Sequence, residues 1–397
     1  MRVVLLLPTS TYRATDFVAA ARALGAEVVV ASDRVSPVLD RDGTRAVEVP
    51  FDDPERAAAM LTNVDDRGPV DAVIAVDDQG VVVAARAAEL LGLPHNPPEA
   101  AARTRDKRDL RAALDASEVP QPRWAPIDDL EHIPDVGYPC VVKPAGLSGS
   151  QGVIRADDAE AACSAAGRAS VIACGAPLLV EEFVPGAEVA VEGLMRDGTL
   201  AVLAVFDKPD PLDGPYFEET IYVTPSRLRA ATLDQVARVA RDAAAALGLT
   251  EGPVHAELRI DGDRVRVIDV AARSIGGLCA RALRFGAGIS LEEVILRHAL
   301  GLPLEDLRRE GAASGVMMLP IPATGTLRSV HGQEDARAVP GIVGLEISIN
   351  PGRPVVALPE GDRYLGFLFA RGDTPAGVEA ALRAAHARLE VVVEPAP

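Results

Sequence analysis

The chain is 397 residues long, 48% hydrophobic but only 4% aromatic, and carries a formal net charge of −18. That length predicts two to three folded domains whose cores rest on Val, Leu, Ile and Ala. The acidity argues against a nucleic-acid backbone or an anionic membrane as main partner, while leaving room for a small anion in a locally cationic pocket.

Strand and helix signals alternate over the first hundred residues. Val3–Leu7 reads as a buried strand, Asp16–Leu24 as a helix ended by Gly25, and Val28–Ala31 as a second strand. Asp71–Val76 reads as another strand and Val81–Leu91 as a helix stopped by Gly92. This βαβ rhythm implies a Rossmann-like parallel sheet, without the GxGxxG turn of a dinucleotide site. From about Ala100 the texture changes. A helix carrying Lys107 ends near Ala116. Strand Tyr138–Lys143, the Gly/Ser loop 145–152, a helix near Asp158–Ala169 and strands Leu178–Phe183, Glu188–Met195 and Leu200–Phe206 follow. Val254–Ile260 and Val265–Ala271 flank the turn Asp261-Gly262-Asp263 as a hairpin, and Leu291–Leu300 reads as a helix. From about Ala312 a third unit has strand-like runs at Gly315–Leu319, Leu345–Ile349 and Tyr364–Ala370. Its helix, Thr374–Leu389, has Thr374 as N-cap and Pro375 at its first position. The boundaries fall at 1–103, 104–308 and 309–397.

No apolar run reaches the ~18 residues of a membrane span, and the apolar start is too short for a signal peptide. The four cysteines, Cys140, Cys163, Cys174 and Cys279, have no CxxC spacing. In their apolar or Ala-rich contexts they read as reduced core thiols of a cytoplasmic protein.

Basic residues are unevenly chosen. Lys107, Lys143 and Lys208 are the three lysines, against thirty-seven arginines. A lysine kept against that bias suits a compact point charge with rotatable donors, which a planar guanidinium does not imitate, and nucleotide phosphates are the commonest such demand. No Walker-type loop precedes any of them. After Lys143, the loop Ala145-Gly146-Leu147-Ser148-Gly149-Ser150-Gln151-Gly152 joins two strands. Glycines there let backbone N–H groups converge on an anion, and serines add hydroxyl donors.

Two further segments concentrate acids in apolar strands. Glu181 and Glu182 end one strand, where an exposed strand end would also explain them, and Glu188 opens the next. Glu257, in His255-Ala256-Glu257-Leu258, and Asp269, in Val267-Ile268-Asp269-Val270, lie on the two arms of the hairpin. Carboxylates so placed need a cation, and two of them beside phosphate make a reasonable Mg²⁺ site. Arg273 then suits a transferring phosphoryl group, and Gly276-Gly277 offers N–H donors to an oxyanion. The competing expectation is a buried ion pair of Arg273 with Asp269 or Glu257.

In this order these segments resemble the ATP-grasp superfamily over nearly the whole chain. Met317-Met318-Leu319-Pro320-Ile321-Pro322, Gly341 and the run 364–372 are similar to the C-terminal domain of L-amino-acid ligases, which are ATP-grasp carboxylate–amine ligases. The resemblance implies an α/β protein with an α+β ATP-grasp part between a Rossmann-like N-terminal domain and an α+β C-terminal domain. It implies ATP and Mg²⁺, with Mn²⁺ able to substitute, amino-acid substrates, and the homodimer usual among such proteins. Lys107 and Lys143 would meet the phosphates and purine, with Ser150 and Gly152 covering the phosphates. Glu181, Glu182 and Val184 would line the adenine hinge, and Glu188 would take the ribose hydroxyls. Glu257 and Asp269 would ligate the metal. Arg273 and Gly276 would hold the acyl phosphate and substrate carboxylate, with His255 and Gly277 among the substrate residues. The stretch Pro215–Tyr222 is similar to the amino-acid loop, with Glu219 as candidate base. Three positions depart from the pattern: Asp269 stands for the usual Glu, Ala271 for an Asn, and Tyr222 for a His. ATP-grasp enzymes using bicarbonate or formate, and an inactive nucleotide-binding regulator, are the alternatives.

Overall fold

The structure, a computed structural model, describes residues 1–34, 45–63, 68–304 and 306–395. A four-stranded parallel sheet comes first, in the order Arg45–Glu48, Glu27–Ser32, Arg2–Leu6, Ala72–Ala75. Its two central strands are near-continuous Val/Leu runs because helices cover both faces. The edge strand Arg45–Glu48 and the helix Pro54–Leu61 carry no strong sequence signal. The strand is short and half-exposed, and the Ala-rich helix is announced only by its cap, where Asp53 accepts from the Arg56 N–H at 3.1 Å.

Two further sheets face each other across the middle of the molecule. The smaller is antiparallel, ordered Trp124–Ile127, Leu178–Glu182, Cys140–Pro144, Ile154–Ala156, and packs on the helix Ala159–Ile172. The larger has eight strands, ordered Arg264–Ala271, Gly252–Asp261, Ala187–Arg196, Thr199–Lys208, Ile221–Thr224, Ala313–Leu319, Gly366–Gly372, Ile342–Ile347. The helix Ala230–Leu247 buries Val236, Val239, Ala243 and Leu247 against its first strands. The sheet runs straight through the expected boundary at 308/309, because Ile221–Thr224 pairs with Ser314–Met317. What reads in sequence as a separate third unit therefore contributes strands to the same sheet as the hairpin bearing Glu257 and Asp269. A three-stranded sheet of Pro354–Val355, Gly325–His331 and Glu390–Pro395 completes the fold.

The last helix spans Pro375–His386, capped by Thr374 as its sequence predicts. It stops short of Leu389 because the chain turns into the final strand there. The cysteines are all free, but two are not core thiols. Cys140 and Cys279 are buried, Cys163 is half-buried, and Cys174 lies exposed in the turn after its helix with φ +52°. Among the described residues no helix is long and apolar enough to cross a membrane.

Candidate functional site

The two facing sheets and the N-terminal parallel sheet enclose a cavity of about 400 Å³. Every residue singled out for the site lines it except Gly152. The Gly152 N–H is donated to the Pro359 carbonyl at 2.9 Å, and a Cβ at this position would come within 2.8 Å of Pro144. With φ +71° as well, Gly152 is held for the packing of the loop base and not turned toward the cavity. Ser150, at φ +59°, does line it, as do Ser148 and Gly149.

All three lysines reach carboxylates that face this one cavity. Lys107 is the first residue of its helix, just inside the N-cap Asp106. Its ammonium donates to the Leu147 carbonyl at 2.8 Å and lies 3.4 Å from Asp269. Lys143 points from the smaller sheet toward Glu181 on the neighbouring strand, with Nζ–Oε2 at 2.8 Å. Glu181 is buried rather than exposed at a strand end, and Arg111 also grips it through Nε at 2.7 Å and Nη2 at 3.1 Å. Arg111 donates in addition to the Val267 and Ile268 carbonyls, so one side chain joins the Lys107 helix, the smaller sheet and the larger sheet. The carboxylate of Glu182, the next residue, pairs instead with Arg123 and Arg266, while the residue still lines the cavity.

At this end of the cavity Lys107, Lys143 and Arg111 stand against two carboxylates, Glu181 and Asp269. One buried positive charge is left unmatched. Burial pushes the Lys143 ammonium below its usual range, with Arg111 adding to the effect and Glu181 opposing it. Burial would raise the Asp269 carboxyl, but Lys107, Lys143 and Arg111 outweigh it and hold it low. A site in this state favours a bound anion.

Arg273 makes neither of the ion pairs its sequence context suggests. It donates through Nη2 to Asp78 at 2.8 Å, and Arg105 lies 3.4 Å from the same carboxylate. Despite its burial, these two guanidiniums hold Asp78 far below the ordinary carboxylate range. Asp78 belongs to the N-terminal sheet region, so the fold's first domain orients an arginine at the end of the hairpin. Behind it, the buried Arg13 donates to the Ser274 hydroxyl at 2.7 Å and to the Val76 carbonyl at 3.1 Å, tying the same two segments together.

The opposite end is acidic. Lys208 sits among Glu188, Glu219 and Glu257 at 2.7, 2.6 and 3.1 Å. Arg259 takes the second oxygen of Glu188 at 2.7 Å. Three carboxylates thus face two cations. His255 hydrogen-bonds Glu192 closely and lies 3.4 Å from Glu257. Those carboxylates outweigh burial and raise its imidazole to about 9. Glu219 receives a further bond from the Tyr364 hydroxyl at 3.3 Å, and the Tyr364 N–H donates to the Tyr12 hydroxyl at 3.1 Å. Tyr222 is buried with its ring 5.1 Å from the Lys208 ammonium; burial, then Glu219 and Glu257, raise its phenol well above the usual range.

Glu257 and Asp269 are register partners across the hairpin. Each carboxylate already lies within 3.1–3.4 Å of a lysine ammonium, so both are placed to hold a cation at the cavity wall. Two carboxylates beside a phosphate-sized space are a donor set that Mg²⁺ accepts, and these residues fit it. The tighter carboxylate group is another one, Glu188, Glu219 and Glu257, whose oxygens lie within 4.8 Å of one another.

The sequence offers no signal for Asp78, which stands in an ordinary strand-end loop, and Arg111 is one of many arginines. Tyr364 is visible only as part of a C-terminal run. Lys208 is conspicuous by residue type, but no neighbouring motif gives it a role.

Family models match three stretches of the chain in order. An ATP-grasp N-terminal domain covers residues 18–95, an ATP-grasp domain 136–282, and an L-amino acid ligase C-terminal domain 2 covers 317–394. Alanine–anticapsin ligase of Bacillus subtilis is 26% identical over 254 residues, 57% of this chain and 53% of that protein. A formate-dependent phosphoribosylglycinamide formyltransferase of Escherichia coli is 27% identical over 375 residues, 90% of this chain and 84% of that protein. The L-amino acid ligase from Bacillus licheniformis superimposes with a TM-score of 0.82 at 25% identity, over 99% of this chain and 98% of that one. The chain spans about half the length of the curated alanine–anticapsin ligases it matches.

Proposed function

The chain belongs to the ATP-grasp superfamily, with the C-terminal domain of L-amino-acid ligases, and from that premise we propose that it joins the carboxylate of one amino acid to the amine of another at the cost of ATP. The observation that carries this reading is the division of charge in one cavity. A cationic end built on Lys107, Lys143 and Arg111 adjoins an acidic end built on Glu188, Glu219 and Glu257. The first suits the phosphates of ATP; in the second, Glu219, held by Lys208 and the Tyr364 hydroxyl, faces the amino-acid substrate.

In this reading a carboxylate oxygen attacks the γ-phosphorus, the bond from that phosphorus to the ADP oxygen breaks, and ADP leaves. The amine lone pair then attacks the acyl carbon. The carbon–oxygen bond to phosphate breaks, phosphate departs and the amine nitrogen loses a proton. Lys143 and Lys107 neutralise charge on the phosphates, and the Ser148–Ser150 segment covers them. Arg273, oriented by Asp78, holds the carboxylate and the acyl phosphate. Gly276 and Gly277 leave the backbone open beside it, and positioning supplies most of the acceleration. Glu181, Glu182 and Val184 border the purine. Glu188 would take the ribose hydroxyls, and Glu219 and Tyr222 would receive the incoming amino acid. Glu257 and Asp269 would hold Mg²⁺, or Mn²⁺ in its place, which when bound neutralises the phosphate oxygens.

A formate- or bicarbonate-dependent reaction is the second reading, favoured by the long match to the formyltransferase. The match of residues 317–394 to the L-amino acid ligase C-terminal domain supports the first. Phosphate release from ATP and Mg²⁺, measured over amino acids singly and in pairs with products weighed by mass spectrometry, tests it. Amino-acid-dependent ADP with an amide product is expected. Turnover that needs formate or bicarbonate instead would overturn it.

A further inference from the structure

We propose that Lys208 is a built-in counter-cation: its ammonium takes the place of a metal ion among Glu188, Glu219 and Glu257, so that Glu188 and Glu219 ligate none while the lysine is present. The three carboxylates offer oxygens within 4.8 Å of one another, which is the spacing of a divalent-cation site. Lys208 Nζ already lies 2.7, 2.6 and 3.1 Å from them. Its side chain is 3% exposed, so the ammonium itself is shut away from solvent.

An ammonium has three N–H donors around a single nitrogen; here two go to Glu188 and Glu219, and Glu257 lies beside them as an ion pair at 3.1 Å. A guanidinium spreads its donors over a plane and does not reach three converging acceptors in this way. That geometry gives a physical reason for a lysine at position 208 in a chain with thirty-seven arginines. The lysine also sets the charge of the group. With Arg259 on the far oxygen of Glu188, Lys208 and Arg259 face three carboxylates; the imidazolium of His255, 3.4 Å from Glu257, is matched by Glu192, and one negative charge remains. Glu257 is the member whose strand pairs in register with Asp269. The leftover charge is therefore available at the hairpin, where Mg²⁺ is proposed above, and the rest of the cluster is already matched. Lys208 would thus confine metal to the phosphate end of the cavity and keep the amino-acid end free of it.

The inference rests on the reading above only in taking Glu257 as the shared residue, and its test needs no turnover. Mn²⁺ alone is the probe, followed by electron paramagnetic resonance and calorimetry on the full chain without nucleotide. Lys208→Ala and Lys208→Met are expected to gain one Mn²⁺ site at least tenfold tighter than any in the wild type. The gain should vanish in Lys208→Ala/Glu219→Gln. In the wild-type background, Glu188→Gln and Glu219→Gln should leave Mn²⁺ affinity unchanged, while Glu257→Gln lowers it. Unaltered stoichiometry and affinity in both lysine variants would overturn the proposal. So would a tenfold loss of wild-type Mn²⁺ binding in Glu188→Gln or Glu219→Gln, and this second arm decides the matter should the lysine variants not fold. A failed ligase assay would leave these binding results standing.

Discussion

Replacing Lys143 separates catalysis from stability, because of what the structure leaves behind. In Lys143→Ala the partner carboxylate of Glu181 keeps both bonds from Arg111, at 2.7 and 3.1 Å. No buried charge is orphaned, which is what makes most broken buried pairs cost 3–5 kcal/mol. The lost Lys143–Glu181 attraction is offset by no longer burying an ammonium that burial already disfavours. Net stability should therefore change by about 1 kcal/mol or less. Catalysis has no such substitute. A preorganised phosphate contact in a water-poor site supplies about 3 kcal/mol in the transition state, or roughly a hundredfold in rate. Lys143→Arg should fall short as well, since it sets a second guanidinium beside Arg111 in a buried space. Single-turnover ADP formation at saturating substrate, run beside a thermal melt, measures both quantities. A rate within threefold of wild type in either variant, or a large drop in melting temperature with the rate preserved, would refute the reasoning and make Lys143 a structural residue.

Three more outcomes follow from the same geometry. Asp78→Asn should cost about 3 kcal/mol in urea unfolding, the low end for a broken buried pair, because Asp78 and Arg273 each keep 13% exposure to the cavity; an unchanged midpoint would mean that Asp78 does not hold Arg273. Tyr222→Phe should raise KM for one amino acid and leave the Kd for ATP nearly unchanged. With its phenol raised well above 10, Tyr222 stays protonated across neutral pH, so kcat/KM should have the same shape in wild type and Tyr222→Phe from pH 6 to 9; a step present in only one of them would contradict that. Alkylation at pH 8 followed by mass spectrometry should label Cys174 first. Cys140, whose thiol burial pushes up to about 11, stays protonated and inert, and rapid labelling of Cys140 would show that its strand opens.

Sequence patterns fixed by local chemistry were the legible part. The helix at Val81–Leu91, the Thr374 cap and the hairpin of Glu257 and Asp269 all follow from periodicity, caps and turn residues within a few positions. Lysine scarcity also reached the cavity, since a rare residue type marks a demand its common substitute does not meet. Partners distant in sequence were not legible. Arg273 meets Asp78 across 195 positions, and Arg111 meets Glu181 across 70. No local pattern encodes such pairs. The fusion of the third unit into the large sheet is hidden for the same reason, because the pairing of Ile221–Thr224 with Ser314–Met317 depends on register between distant strands. Gly152 is ambiguous in sequence, because a glycine needed for close packing against Pro144 looks the same as one needed for phosphate.

The central claim is that a substrate carboxylate becomes an acyl phosphate in this cavity, and oxygen transfer tests it most directly. An amino acid labelled with ¹⁸O in its carboxylate should pass one labelled oxygen to the released inorganic phosphate for each amide formed, with ADP as the other product. Label found in AMP, or phosphate that carries none while amide accumulates, would contradict the account.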